Sequence, residues 1–203
     1  MSTRCGERLA ATFLIDTQSM DPAIDPQSFV TDFDAALHED QMYFAASGMA
    51  FGQLRTFFQR NRMSPTNRNN SVSISTRAPD EDPYAARMSF ADILAALEPQ
   101  GEFLKRTGWF WLTNVFGRWE HDFRPKVAKA LGVELEKVRS DVMGDIRRIR
   151  NDVVHNRGIA SNEHSAKVRL LTDWVTVGDE IRVGEAQVID LRKRFSFRLD
   201  EDA

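Results

Sequence analysis

The spacing of apolar residues predicts that this chain is built mainly from helices. A first helix is predicted from Thr31 or Asp32, either of which can cap a helix, to about residue 58. Gly48 and Gly52 lie four residues apart along it and would permit a close contact with another helix. Apolar side chains recur at intervals of three, four or seven residues and so share one helix face. The residues of this face are Phe33, Leu37, Phe44, Phe51, Leu54 and Phe58.

Three further helices are predicted in the middle of the chain. They span about residues 83–97, 102–123 and 125–131, and Gly132 ends the last of them. The spacing of the tryptophans on the 102–123 helix favours their packing in the core over a role in stacking on nucleic-acid bases. The apolar face of that helix consists of Trp109, Leu112, Phe116, Trp119 and Phe123.

Two segments carry no helical pattern. The first 28 residues are irregular, with an apolar stretch at 9–15 that predicts a strand and Asp-Pro pairs that predict a loop. Residues 61–83 form a long polar loop in which Val72 and Ile74 alternate with serines. A disordered connector is the favoured interpretation of this loop, and a short strand or substrate-binding ribbon is the alternative.

The last third of the chain adds small elements around a long amphipathic helix. That helix is predicted over about residues 134–156, with Gly158 in the position of a C-terminal glycine. A short helix capped by Ser161 is predicted to residue 171, followed by a hairpin over 174–183 and a closing amphipathic helix over 185–199. Together these elements predict a mainly α helical bundle, one domain over residues 1–203, with a small β-hairpin near the C-terminus.

Composition and charge say more about the location and partners of the protein than about its chemistry. The net charge is −3 over 203 residues, so no global positive field indicates a nucleic-acid-binding protein, and such binding would need a local basic patch. Cys5 is the single cysteine, which excludes an intrachain disulfide. No apolar run has the length of a membrane span, and the first residues do not resemble a secretory signal. We therefore expect a cytoplasmic protein with no membrane partner.

The six residues Arg150-Asn151-Asp152-Val153-Val154-His155, near the end of the 134–156 helix, carry the clearest indication of chemistry. The guanidinium of Arg150 offers several donors in a fixed geometry for a phosphate. A histidine such as His155 can transfer protons near neutral pH, and Asn151 can orient either group. A metal-free ribonuclease needs groups of these types, so Arg150, Asn151 and His155 are the predicted catalytic residues.

Helical geometry separates these side chains. Asn151 and His155 share a face about 200° from the apolar stripe of the same helix, so the imidazole is expected to point away from the core. Arg150 lies about 140° from His155, so one straight helix would not direct both at one phosphate. We therefore expect a composite site between two helices of a homodimer, with Gly144 allowing their close approach. The apolar stripe consists of Val138, Val142, Ile146, Ile149 and Val153.

The same helix is locally basic. Between Lys137 and Gly158 there are six basic residues and three aspartates. Arg147, Arg148 and Arg157 are therefore predicted to bind the phosphates of an RNA substrate. For Arg147, a solvated basic face without a function is an equally good interpretation.

Residues 149–158 resemble the motif of the HEPN superfamily, the higher eukaryote and prokaryote nucleotide-binding domains. The resemblance rests on Arg150, Asn151, His155 and the trailing Gly158, together with the preceding Trp-rich helix, and covers about residues 101–159. It implies a HEPN-like helical bundle and a metal-independent endoribonuclease without a cofactor. In bacteria such a protein is often a toxin or phage-defence effector, and an antitoxin protein is then an expected partner.

The resemblance also implies a role for each residue. Arg150 would bind the scissile phosphate and stabilise charge in the transition state, and His155 would act as general acid or base. Asn151 would orient the phosphate or the histidine. Some family toxins carry a tyrosine two residues after the histidine, which a partner nucleotidyltransferase modifies, whereas this chain has Arg157. Other members are non-catalytic dimeric scaffolds that bind a partner protein or nucleotide, which is the alternative function.

The remaining histidines offer weaker candidates. His121 lies between two acidic residues on the Trp-rich helix and is predicted to be a surface residue. His38 and His164 also neighbour acidic residues, but without the spacing of metal ligands, and no metal site is expected.

Overall fold

The computed structural model describes residues 25–61, 71–74 and 86–200, and α-helices predominate among them. The prediction of a mainly α fold is thereby confirmed. Helix α1 packs against α3 and α6, and α3 packs against α5. The helices are α1 (Pro26–Asn61), α2 (Phe90–Ala96), α3 (Glu102–Arg118), α4 (Arg124–Leu131), α5 (Asp141–His155) and α6 (Glu185–Arg194).

Helix α1 begins before the predicted start at Thr31 or Asp32. The Asp25 side chain accepts a hydrogen bond from the backbone N–H of Gln27 at 2.9 Å, and proline occupies the first helical position. The loop prediction is therefore wrong at Asp25-Pro26, where an aspartate followed by proline fits a helix start, and the Asp21-Pro22 pair lies outside the described residues. The described contacts of α1 do not require its two glycines, because a Cβ added at Gly48 would lie 3.8 Å from Leu104, an ordinary distance, and a Cβ at Gly52 would meet no described atom within 4 Å.

A two-stranded ribbon occupies part of the 61–83 loop and the segment after it. Strand β1 (Ser71–Ile74) pairs antiparallel with β2 (Ala86–Ser89). The helix predicted from residue 83 therefore begins only at Phe90, where the Ser89 hydroxyl accepts a hydrogen bond from the N–H of Asp92 at 3.0 Å. The predicted strand at 9–15 and the remainder of the 61–83 loop lie outside the described residues.

The Trp-rich helix runs without interruption into α4. Helix α3 continues through a π-helical turn (Trp119–Phe123), and α4 ends at Gly132, whose φ is 65°. Trp111 and Trp119 are 6% and 3% exposed. Core packing of these tryptophans is confirmed, and the predicted glycine stop is confirmed as well.

The motif helix α5 is shorter than predicted. Residues 135–137 form a single 3-10 turn, and β3 (Val138–Arg139) pairs antiparallel with β4 (Arg198–Leu199). Helix α5 then starts after Ser140, whose side chain accepts a hydrogen bond from the N–H of Met143 at 3.4 Å. The closing helix ends correspondingly early, at Arg194, because the chain becomes extended there and buries alternate residues, Phe195 and Phe197.

The chain after α5 also differs from the sequence prediction. The helix expected over 161–171 is replaced by two 3-10 turns, Ser165–Lys167 and Thr172–Trp174. The backbone N–H groups that would build an α-helix are donated instead to two aspartate side chains of α5. The turn predicted at Gly178 is present, with a φ of 92°, but Glu180 pairs with Ile159 through an isolated bridge rather than with the opposite arm.

The core lies where α1, α3, α5 and α6 meet. The Phe33 ring of α1 lies 4.7 Å from the ring of Phe123 and 4.2 Å from that of Phe195, measured between ring centroids. From α5, Ile146 and Ile149 are fully buried. This packing fixes which face of α5 points outward. Among the described helices, none combines the length and apolar character that a membrane span requires.

Candidate active site

The inner face of α5 agrees with the predicted apolar stripe. Val142, Ile146 and Ile149 are buried, and Val153 packs partly against the core. Val138 is buried too, but as part of strand β3 rather than of the helix. The hydrophobic contacts of the inner face fix the rotation of α5 about its axis. The motif side chains therefore project from the other sides of the helix.

His155 is the last residue of α5 and lies exposed to solvent. Its imidazole makes no hydrogen bond or ion pair within the part of the chain that the structure describes. The prediction that His155 points away from the core is therefore confirmed. An exposed imidazole at a helix end is accessible both to a substrate and to a second protein chain.

Arg150 and Asn151 contact each other one residue apart. The Nη1 of Arg150 donates a hydrogen bond to Oδ1 of Asn151 at 3.3 Å. The Nε of Arg150 is buried, and no described group accepts a hydrogen bond from it. Both side chains are half-buried. The guanidinium is thus oriented by Asn151 and retains donors for a further acceptor.

The structure brings two of the three predicted catalytic residues together and leaves the third apart. Among the described residues, no hydrogen bond links His155 to Arg150 or Asn151. Since Arg150 and His155 are five residues apart on a straight helix, their side chains diverge by about 140°. One copy of α5 therefore does not present the imidazole and the guanidinium to a single small group.

The predicted substrate-binding arginines have different surroundings. Arg148 donates to Oδ1 of the buried Asp145 at 2.7 Å, so part of its guanidinium already serves the fold. Arg147 is exposed and has no ion pair among the described residues. Arg157 is also exposed, with a positive φ of 54°. Of the three, Arg147 and Arg157 have their full charge available at the surface.

Arg147 lines a cleft between α5 and the π-helical turn. The cleft has a volume of about 370 Å³ and also contains Glu120 and Glu136. Arg124 on its wall is bound to Glu120 at 2.6 Å. The cleft is therefore of mixed charge, which weakens the case for a continuous basic strip on this side of α5.

Two aspartates of α5 have structural roles that the sequence reasoning did not find. Asp152 is fully buried and accepts hydrogen bonds from the backbone N–H and hydroxyl of Ser161, at 2.8 and 2.6 Å. It also accepts from the N–H and hydroxyl of Ser165, at 3.2 and 2.6 Å. Burial alone would raise the pKa of Asp152, but these hydrogen bonds outweigh it and lower the pKa.

Asp145 holds the next part of the same segment. Its Oδ2 accepts hydrogen bonds from the N–H groups of Arg169, Leu170 and Leu171 at 2.9, 2.6 and 3.2 Å. Asp145 and Asp152 are seven residues apart, or about two helical turns, and so share one face. That spacing, with apolar neighbours on the same side, was the available sequence indication. The pair fixes the chain that follows α5 and so holds the end of the motif helix in place.

The end of α5 is also anchored on the Trp-rich helix. Gly158 has a φ of 76°, and a Cβ added there would overlap the ring of Trp109. The indole of Trp109 is itself held, because its Nε1 donates to the carbonyl of Ile181 at 2.9 Å. The glycine after the motif is thus required both by its backbone conformation and by its contact with Trp109.

The other histidines do not join this site. His121 is exposed, as predicted. His38 lies on α1, where its Nδ1 is 2.9 Å from Nη1 of Arg192. His164 lies 3.9 Å from Glu163. In residues 25–61, 71–74 and 86–200, no group of three or more His, Cys, Asp or Glu side chains is arranged to hold a metal ion.

Comparison of the chain with protein-family models, curated proteins and solved structures found no match.

Proposed function

We propose that this chain is a metal-independent endoribonuclease of the HEPN type. One observation carries the proposal: α5 ends in an exposed histidine that has no hydrogen-bond partner among the described residues, and the same helix carries Arg150, which Asn151 orients and whose Nε has no described acceptor. Ribonucleolytic cleavage needs a group that moves protons and a cation that binds the phosphate. The same proposal includes a role as a toxin or phage-defence effector, with an antitoxin as a possible protein partner.

The reaction uses the 2′-hydroxyl of the RNA itself. The 2′-oxygen forms a bond to phosphorus while the bond from phosphorus to the leaving 5′-oxygen breaks. One proton leaves the 2′-hydroxyl and one is taken up by the leaving oxygen, and His155 serves one of these transfers. Arg150, oriented by Asn151, stabilises the charge that builds on the phosphate oxygens. Arg147 and Arg157 bind neighbouring phosphates.

A composite site in a two-fold dimer is part of the proposal. Two-fold symmetry would give two equivalent sites, each combining Arg150 of one copy with His155 of the other. A second copy also overcomes the divergence between Arg150 and His155 within one helix. Gly144 leaves room for this approach, since within the described chain a Cβ added there would meet only Nη1 of Arg148, at 3.9 Å.

The first experiment is cleavage of a mixed RNA pool in the presence of EDTA. We expect His155→Ala and Arg150→Ala to lower the cleavage rate by about 10²–10⁴-fold, with unchanged circular dichroism and elution volume. His121→Ala is the matched control, because it removes another exposed histidine from a different element. Equal cleavage by all variants would indicate a contaminant or a different site. No cleavage by any of them, with dimers intact, would favour the non-catalytic scaffold.

Mixing the two inactive variants tests the composite site. If Arg150 of one copy works with His155 of the other, a heterodimer of Arg150→Ala and His155→Ala contains one intact site. Random exchange would then restore about one quarter of the wild-type activity. A site formed within one chain predicts no restoration, and a monomeric enzyme that cleaves RNA would also contradict the dimer proposal.

A further inference from the structure

A second cavity lies between α1 and α3 and shares no lining residue with the motif on α5. Its volume is about 360 Å³, within the range of sites for small organic molecules. Two aromatic side chains stand at its wall and are largely exposed, Tyr43 at 65% and Phe110 at 74%. Exposed aromatic side chains beside a cavity are suited to contact a flat apolar ligand.

Two buried polar groups on the wall of this cavity lack hydrogen-bond partners among the described residues. Asp40 is 6% exposed, and its Oδ1 lies 3.1 Å from Nη2 of Arg118, but its Oδ2 has no partner. Trp111 is also 6% exposed, and its Nε1 has none. The wall therefore carries one buried acceptor and one buried donor that no described group pairs, and each is costly to leave unpaired away from water.

The surroundings of Asp40 show that its charge is incompletely compensated. Burial raises the pKa of Asp40, Arg118 counteracts this, and Glu39 adds to it. A donor brought to Oδ2 would remove this imbalance. An anionic ligand would increase it, a hydrocarbon would leave both wall groups unpaired, and a simple ammonium ion would leave the Trp111 N–H unpaired.

We propose that this cavity binds a small aromatic carboxamide, or another flat ligand with an adjacent amide N–H and carbonyl. The N–H donates to Oδ2 of Asp40, the carbonyl accepts from Nε1 of Trp111, and the ring packs against Tyr43 and Phe110. Both atoms are buried, so binding requires a side chain of the cavity wall to move. This proposal is independent of the ribonuclease proposal, because the two sites share no residue.

Benzamide is the probe for this site, and the indole N–H signals of the full chain in a ¹⁵N-resolved NMR spectrum are the readout. Trp111→Phe identifies the Trp111 signal by its disappearance. We expect benzamide to shift that signal in a saturable way while the Trp109 signal, held by the Ile181 carbonyl, stays in place. Benzoate and toluene, which are similar in size, should bind at least about tenfold more weakly.

Variants of the wall separate a built site from a nonspecific apolar surface. Asp40→Asn keeps the shape of the side chain and should weaken benzamide binding by about tenfold. Met42→Ala is the control, since this α1 side chain is 61% exposed and does not line the cavity. The proposal is overturned if millimolar benzamide leaves the Trp111 signal unmoved, or if toluene binds equally well. Self-association that is abolished by Phe110→Ser would also overturn it, by assigning this face to a second copy of the chain.

Discussion

Asp152 on α5 and Asp40 on α1 are both carboxylates removed from water, with exposures of 0% and 6%, but their surroundings differ. Asp152 accepts four hydrogen bonds from Ser161 and Ser165, and its pKa is lowered. Asp40 has Arg118 on one oxygen and no described partner on the other, and burial raises its pKa. Burial penalises both charges, so the number of donors decides whether a buried carboxylate stabilises the fold.

This contrast separates structural polar groups from candidate binding groups. The donors around Asp152 come from the chain itself and fix the segment that follows the motif helix. Asp40 and Trp111 both line a cavity between two helices, and among the described residues neither Oδ2 of Asp40 nor Nε1 of Trp111 has a hydrogen-bond partner. Unpaired buried polar groups are rare in native folds, and a ligand that pairs with both groups would account for them.

The largest expected effect is that of removing each carboxylate. Asp152→Ala leaves four donors of Ser161 and Ser165 without their acceptor and should lower the free energy of unfolding by about 3–5 kcal/mol. Asp40→Ala leaves only Arg118, which is partly exposed to water, and should lower it by about 1–2 kcal/mol. Urea denaturation of both variants measures the difference.

The control for this pair is Asp141→Ala, which removes an exposed carboxylate from the first turn of α5. Its ion pair with Arg198 spans 3.4 Å between two exposed side chains, so we expect a loss of at most about 1 kcal/mol. Equal losses for Asp152→Ala and Asp40→Ala would contradict the distinction between the two sites.

The next effect concerns the donors around Asp152. Ser161→Ala and Ser165→Ala each remove a hydroxyl at 2.6 Å from the carboxylate and should lower the free energy of unfolding by about 1–2 kcal/mol. Combined with Asp152→Ala, either serine substitution should add little, because its hydrogen bond is already lost. Full additivity in this double-mutant cycle would mean that the serines stabilise the chain by another route.

The inner face of α5 could be predicted from the sequence, but the burial of Asp145 and Asp152 could not. The apolar stripe of α5 predicts its inner face, because Ile146 and Ile149 obey helical spacing and hydrophobic residues seek the core. The same pattern places His155 outward, as observed. Asp145 and Asp152 lie on a buried face against the usual preference of charged residues for water. Apart from Arg148, their donors come from residues 9 to 26 positions later, which no local pattern reveals.

The errors at element ends have a similar cause. Val138 fits the α5 stripe but belongs to β3, whose partner β4 comes from the far end of the chain. The helix predicted beyond Ser161 fails because Asp145 and Asp152 take its backbone N–H groups. Tertiary contacts overrode local propensity in both cases. The helix caps at Asp25 and Ser89 involve only residues two or three positions away. They could have been predicted from the sequence but were not.

The pH dependence of stability should have opposite signs for the two aspartates. The lowered pKa of Asp152 means that the unfolded chain takes up the proton first as pH falls. Its contribution is thus complete above about pH 3.9, the ordinary Asp pKa, and is lost as pH falls through the folded pKa. The raised pKa of Asp40 means that the folded chain takes up the proton first, so stability is lost as pH rises through its folded pKa.

Urea denaturation of wild type, Asp152→Asn and Asp40→Asn between pH 3 and pH 7 measures both signs, since asparagine does not titrate. The difference in free energy of unfolding between wild type and Asp152→Asn should decrease toward acid pH. The difference between wild type and Asp40→Asn should decrease as pH rises from the acid end. Differences that change in the same direction would show that the two carboxylates are equally well compensated.

The smallest effect is expected at two indole groups, one of which has a hydrogen-bond acceptor while the other has none among the described residues. Trp174 is 7% exposed and its Nε1 donates to Oδ2 of Asp190 at 2.9 Å, whereas the Nε1 of Trp111 has no described acceptor. Trp→Phe removes the same volume and the same N–H at both positions, so the loss of packing is similar. Trp174→Phe should therefore lower the free energy of unfolding by about 1 kcal/mol more than Trp111→Phe. If the two substitutions have equal effects, the Trp111 N–H is already satisfied in solution, and the cavity between α1 and α3 loses the donor on which carboxamide binding depends.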